Sequence, residues 1–319
     1  MSTIRHYFSL VKFSHTIFAL PFALIGFFLA CVKTGLIEFT GVVGPKPGWH
    51  TTVFPPELLD QYKNLPGTAT EIAIRFALVL LCMITARSAA MAFNRWLDKN
   101  FDAKNPRTAI REIPAGIVSA NSALIFVVVN AIIFIASTWF INPICFYLSP
   151  VALFVILFYS YTKRFTPLCH LVLGLGLSLA PIGAYLAVTG RFDLLPVLFS
   201  FTVLCWVSGF DIIYALQDVE FDRENNLYSI PAVLGKKNAL HVSELLHLFS
   251  AALVIAAGLI GSFGMLYWFG AAIFSGMLIY QHAIVKPDDL RRVNLAFMTA
   301  NGIASIVFAC FVLADLFLF

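Results

Sequence analysis

Charge is what this 319-residue chain has least of: Asp, Glu, Lys and Arg make up 12% of it, against roughly a quarter in soluble domains. With 60% hydrophobic residues, that shortage excludes a soluble globular domain and points to a chain that lives in a bilayer. Also missing is any Cys-x-x-Cys pair. The six cysteines (Cys31, Cys82, Cys145, Cys169, Cys205 and Cys310) fall within or beside apolar runs, so they form neither a zinc ribbon nor a disulfide frame and read as small apolar side chains. The seven histidines lack metal-ligand spacing. No polar stretch is long enough for a second folded domain, so 1–319 is expected to form one transmembrane domain. Its longest hydrophilic segment, 35–70, is rich in Pro and Gly and predicts a loop. The net charge is only +4, with the cations spread over short loops, so no nucleic-acid partner is expected. Nothing in the sequence calls for an obligate protein partner.

What the chain does have is apolar runs of about 20 residues, the length that crosses a hydrocarbon core. They occupy 10–32, 72–93, 117–138, 143–161, 168–189, 194–216, 239–261, 265–284 and 293–315, predicting an all-α integral membrane protein with nine transmembrane helices. Gly174, Gly176, Pro181 and Gly183 interrupt the fifth run, and Asn294 and Asn301 the ninth; neighbouring helices can satisfy such breaks. The first run, with Phe28-Leu-Ala-Cys31 near its end, is expected to stay as a helix, because eight more follow. Fifteen of the 21 Lys and Arg lie in the N-terminal segment through Lys12 or after the even-numbered runs. The positive-inside rule then puts the N-terminus and those loops in the cytoplasm, with the chain multi-pass in the cell inner (cytoplasmic) membrane and the 35–70 loop outside.

Two of the cytoplasmic ends carry the rare carboxylates. Asn94-Arg-Trp-Leu-Asp98-Lys-Asn-Phe-Asp102 closes the second run and Gln217-Asp218-Val-Glu-Phe-Asp222 closes the sixth. A spacing of four puts each pair on one helix face, where like charges repel. A cation should compensate, and Mg²⁺ suits a few carboxylates plus substrate phosphate oxygens. Upstream, Arg87 and Met91 continue the first stripe, while Asp211, Tyr214 and Ala215 continue the second; Arg87 and Asp211 should lie at membrane depth, facing a partner or a wet cavity. Arg107 and Arg111 follow the first motif, and Tyr159, Lys163 and Arg164 end the fourth run. Acidic clusters bridged by metal and ringed by cations are what a diphosphate needs. The 32 Phe residues mostly serve lipid contact, and some can line a greasy channel.

Four blocks in order, Asn-x-x-x-Asp-x-x-x-Asp at 94–102, Arg107-Thr with Arg-x-x-Pro-Ala-Gly at 111–116, Tyr-x-x-x-Lys-Arg at 159–164, and Asp-x-x-Tyr-Ala-x-x-Asp-x-x-x-Asp at 211–222 followed by Ser229, resemble the UbiA superfamily of membrane prenyltransferases. The opening Lys12-Phe-Ser-His-Thr-Ile-Phe-Ala-Leu-Pro21 is similar to members acting on 4-hydroxybenzoate or on the futalosine route to menaquinone. The resemblance implies a bundle around a central cavity open to lipid, with catalytic loops at about 94–116 and 218–236. It also implies Mg²⁺ held by Asn94, Asp98 and Asp102 on one side and by Asp218 and Asp222 on the other. Arg87, Arg107, Arg111, Lys163 and Arg164 would contact diphosphate or acceptor, and Asp211 and Tyr159 would line the cation's path or take a proton. The expected reaction moves a polyprenyl group from polyprenyl diphosphate to an aromatic acid acceptor, 4-hydroxybenzoate or else a dihydroxynaphthoate. One departure is Asn226, where the family usually has Gly; Asn is the side chain that best tolerates a left-handed backbone there.

Two rivals weigh less. A membrane cation transporter would carry its carboxylates near the midplane on broken helices, and an enzyme acting on CDP-linked lipid needs Asp-Gly and Ala-Arg neighbours that these runs lack.

Overall fold

The computed structural model describes residues 2–11, 18–34 and 68–318. Among these, helices are the only extended elements: α1 Ser2–Val11, α2 Leu20–Lys33, α3 Ala69–Leu97, α4 Lys99–Lys104, α5 Ala120–Trp139, α6 Pro143–Thr162, α7 Cys169–Thr189, α8 Leu194–Ala215, α9 Val219–Glu224, α10 Ile230–Ile260, α11 Met265–Ile284 and α12 Asn301–Leu318. Polar caps start several of them. The side chains of Thr68, Ser119, Asn142 and Ser229 accept from backbone N–H groups at the starts of α3, α5, α6 and α10, satisfying donors that the helix itself leaves free.

Seven segments are long and apolar enough to cross a membrane, and α2 is shorter. This is a multi-pass membrane fold. Every apolar run from residue 72 onward contains a helix where the sequence predicts one. For the first run, α2 fills the part from Leu20, while Lys12 and His15 lie outside the described residues, as does 35–67 of the expected loop. Helix α1 is an addition to the expectation. Its Leu10 is fully buried against Ala89 and Ala92 of α3 and Val127 of α5, a tertiary contact that a search for 20-residue apolar runs does not register.

The bundle is closed by α8, which packs on both α7 and α10, while α2 lies against α7 and α12, α3 against α5, and α11 against α12. Its centre is aromatic: Phe22, Phe199, Trp206, Tyr267, Phe274 and Phe308 are each fully buried. Serines hold the helices together, with Ser243 Oγ donating to the Gly209 carbonyl at 2.7 Å and Ser250 Oγ to that of Thr202 at 3.0 Å, as expected where apolar packing alone gives little preference between helices. Outward-facing Ile125, Ile132, Phe154 and Leu248 stay exposed, as lipid contact requires.

Both interrupted runs are accommodated. Helix α7 continues through Pro181, and α2 presses Gly26 against it so closely that a Cβ at Gly26 would stand 2.1 Å from the Pro181 carbonyl oxygen. Gly26→Val is therefore expected to separate α2 from α7 and cost about 1–3 kcal/mol, read as a lowered melting temperature in detergent. In the ninth run a π segment, Leu295–Ala300, precedes α12. The Asn301 amide donates to the Ala296 and Phe297 carbonyls, and its oxygen accepts from Trp206 Nε1 at 2.7 Å and Gln281 Nε2 at 2.9 Å. The residue that interrupts the apolar pattern is thus the one that satisfies the irregular backbone.

Candidate active site

The acidic motifs do not lie on continuous helices, and here the sequence expectation is corrected. Helix α3 stops at Leu97 and α8 at Ala215, followed by a 3₁₀ turn, Leu216–Asp218. Asp98 sits at φ −92°, ψ 6° and Asp218 at φ −107°, ψ 7°, the sparsely populated region between α and β where active-site residues recur. Each then opens a six-residue helix, α4 or α9, that carries the second Asp of its motif. The two halves of the site are thus built alike, and each Asp-x-x-x-Asp pair spans a joint between helices. After α9 the chain turns back with Asn226 at φ 54°. The Asn226 N–H donates to the Arg223 carbonyl and the Leu227 N–H to that of Asp222, a helix end that tolerates Asn in place of Gly.

The second Asp of each pair, Asp102 or Asp222, is buried, and all four carboxylates meet a cation. Arg164 Nη2 reaches Asp98 at 2.8 Å, Arg111 Nη1 bridges both oxygens of Asp102 at 2.7 and 2.9 Å, and Lys163 Nζ meets Asp222 at 2.7 Å. Arg107 grips Asp218 with Nε at 3.1 Å and Nη2 at 2.6 Å, while its Nη1 donates to the Tyr214 hydroxyl. The pairing is crossed: the segment after α4 sends one cation to each motif, and so does the end of α6. Burial pushes the Asp98 carboxyl above its ordinary range, against the pull of Arg164. Lys163 is pulled down by burial, yet Asp222 carries it above the usual lysine value. Asn94 Nδ2 donates to Asp98 at 3.2 Å, and Ser229 Oγ to Asp222 at 2.8 Å.

These groups ring the mouth of one cavity of about 290 Å³, so the two motifs share a single face of the bundle. Its walls include Asn94, Asp98, Asp102, Asp218, Asp222, Arg111, Lys163 and Arg164. Arg87, Tyr159 and Asp211 line it further in, Arg87 standing about 16 Å along α3 from Asp98. Farther along α7 and α8 come Leu173, Leu177 and Val207, and Phe18, Phe210 and Phe297 complete the apolar lining. The charged mouth thus suits an anion and the apolar lining a hydrocarbon.

Matching the chain to known families decides what kind of protein this is: residues 66–303 match the UbiA prenyltransferase family. The chain belongs to that family. Among its UbiA relatives is a 4-hydroxybenzoate octaprenyltransferase from Tolumonas auensis, 30% identical over 240 residues that make up 74% of this chain and 84% of the relative. Another, from Aeromonas hydrophila, is 27% identical over 70% and 77%. A UbiA homolog from Aeropyrum pernix, solved without ligand, superposes with a TM-score of 0.71 at 30% identity over 95% of this chain and 97% of that one. A UbiA homolog from Archaeoglobus fulgidus bound to DMAPP and Mg²⁺ has the same fold, with a TM-score of 0.67, 16% identity and coverage of 97% and 98%. As a UbiA prenyltransferase the chain is an enzyme, of the 4-hydroxybenzoate polyprenyltransferase-like kind.

All twelve side chains singled out from the sequence meet around this UbiA cavity, eleven in its lining and Arg107 through Asp218 and Tyr214. Two polar neighbours were not anticipated. Asn105 Nδ2 donates to Asp218 at 3.4 Å while its Oδ1 accepts from the Arg107 backbone. His170 meets Asp211 at 2.7 Å. Its position six residues after Arg164, in the first turn of α7, was the available signal.

Proposed function

We propose that this protein transfers a polyprenyl group from polyprenyl diphosphate to an aromatic acid, 4-hydroxybenzoate, with Mg²⁺ at the mouth of the cavity and the site facing the cytoplasm. The observation that carries the reading is the ring of four crossed acid–base pairs at the mouth of a cavity whose remaining lining is Phe, Leu and Val.

The donor set fits a hard cation. Asp98, Asp102, Asp218 and Asp222 offer only oxygens, and Asn94 keeps its amide oxygen, since the nitrogen is spent on Asp98. Among the described residues no three or more His, Cys, Asp or Glu side chains converge as a complete cage, and Mg²⁺ takes one or two carboxylates together with phosphate oxygens and water. Asn94, Asp98 and Asp102 would hold one ion, Asp218 and Asp222 another. Bound there, the metal neutralises non-bridging oxygens of the diphosphate and makes it a better leaving group.

The chain's own residues do the rest. Arg107, Arg111, Lys163 and Arg164 exchange their carboxylate partners for diphosphate oxygens, which leaves the carboxylates free to hold the metal. The isoprenoid lies along Phe18, Phe210 and Phe297, whose ring faces favour the allylic cation. Arg87 takes the acceptor's carboxylate at depth, and Tyr159 and Asp211 border the reacting carbon.

Membranes given a labelled polyprenyl diphosphate with 4-hydroxybenzoate or a dihydroxynaphthoate, with products identified by mass, test the reading. Prenylated 4-hydroxybenzoate is the expected product; product from the naphthoate alone changes the acceptor, and none from either overturns the reaction. EDTA is expected to abolish turnover, and Mg²⁺ to restore it.

A further inference from the structure

His170 is the second residue of α7, and its ring is 3% exposed. Nδ1 lies 2.7 Å from Asp211 Oδ2, and the Ile230 N–H is directed at Nε2 with a nitrogen separation of 3.4 Å. A nitrogen that receives an N–H presents its lone pair, so the ring hydrogen sits on Nδ1 and is donated to Asp211. Asp211 is thereby held in one orientation, with 23% of its side chain open to the cavity. It stands seven residues, about 10 Å, along the chain from Asp218. The anchor on the far side of the ring has its own tie to the mouth: Ile230 follows Ser229, whose hydroxyl donates to Asp222 and accepts from the Ala232 N–H at the start of α10.

Resting on the prenyl-transfer reading above, we propose that His170 is a positioning residue that aims the Asp211 carboxylate at the proton the aromatic ring loses. In that step the allylic C–O bond breaks and its electron pair leaves on the diphosphate. A ring π pair forms the new C–C bond, and the C–H pair at the attacked carbon returns to the ring as the proton passes to Asp211. The imidazole keeps its own hydrogen throughout, because its two nitrogens are committed to one acceptor and one donor. Segment 229–230 thus connects the deep carboxylate to a carboxylate at the mouth, with His170 as the link.

The test uses the full chain in membranes, with His170→Gln, His170→Leu and Asp211→Asn, and follows prenylated aromatic product and released diphosphate separately. Gln carries both a donor and an acceptor and does not titrate, so His170→Gln is expected to stay within about threefold of the parent, while His170→Leu loses kcat about tenfold or more. KM for polyprenyl diphosphate is expected to stay unchanged in both, with diphosphate still released by His170→Leu as the cation is trapped by water. Asp211→Asn should lose at least as much, and the double variant His170→Leu/Asp211→Asn no more than Asp211→Asn alone. Parental kcat in His170→Leu, a His170→Gln variant as inactive as His170→Leu at equal insertion, or additive losses in the double variant would overturn the assignment. A parent chain that makes no prenylated aromatic product overturns the underlying reading, and this one with it.

Discussion

Asp98→Asn and Asp218→Asn are each expected to leave the protein inserted in the membrane and to lower prenyl transfer by about 10²–10³-fold, the scale on which a preorganised charge acts at a reacting centre. Both positions are joints between a long helix and a short one, with backbone dihedrals close to each other. The amide has the same shape and can still accept from Arg164 or Arg107, so the joint and its neighbours are retained. What is lost is one negative charge on each side of the diphosphate. Quantitation of the protein in membranes, followed by the labelled-diphosphate assay, separates the two effects. Near-normal turnover in either variant would remove the metal assignment.

Lys163→Met is expected to show the second large effect, and on a different quantity. Asp222 is fully buried, and its contacts are Lys163 at 2.7 Å and the Ser229 hydroxyl at 2.8 Å. Without the lysine, a buried carboxylate remains with the Ser229 hydroxyl as its other contact. Breaking a buried pair in this way costs about 3–5 kcal/mol, and the lower end applies because the lysine side chain is a third exposed. Thermal unfolding in detergent should show the loss. Adding Asp222→Asn removes the stranded charge, so the double variant is expected to regain most of the stability while prenyl transfer stays absent. If the double variant is no more stable than Lys163→Met, the pair is not what supports this corner of the site.

The parts of the site that were legible were those written in local spacing. Asp98 with Asp102, and Asp218 with Asp222, are paired carboxylates four residues apart in a chain poor in charge, and that spacing marked both motifs, although each pair proved to span a joint between helices. Arg107, Arg111, Lys163 and Arg164 stood out because charge is scarce in this chain. The helix joints at Asp98 and Asp218 were not legible, because neither motif contains Gly or Pro to mark a break. His170 was passed over for a related reason: one histidine in an apolar run looks the same whether it packs or orients a carboxylate.

By itself the sequence determined that the chain spans a membrane, where its helices run, and that its acids gather at the ends of two of them. Hydrophobicity accumulates residue by residue, and a bilayer reads it locally. Only the tertiary structure decided which cation meets which acid. Arg107 and Asp218 are 111 residues apart, and Arg164 and Asp98 are 66 apart. Their contacts depend on how α3, α6, α7 and α8 are rotated and packed about one cavity, a relation between helices that no single stretch of chain encodes.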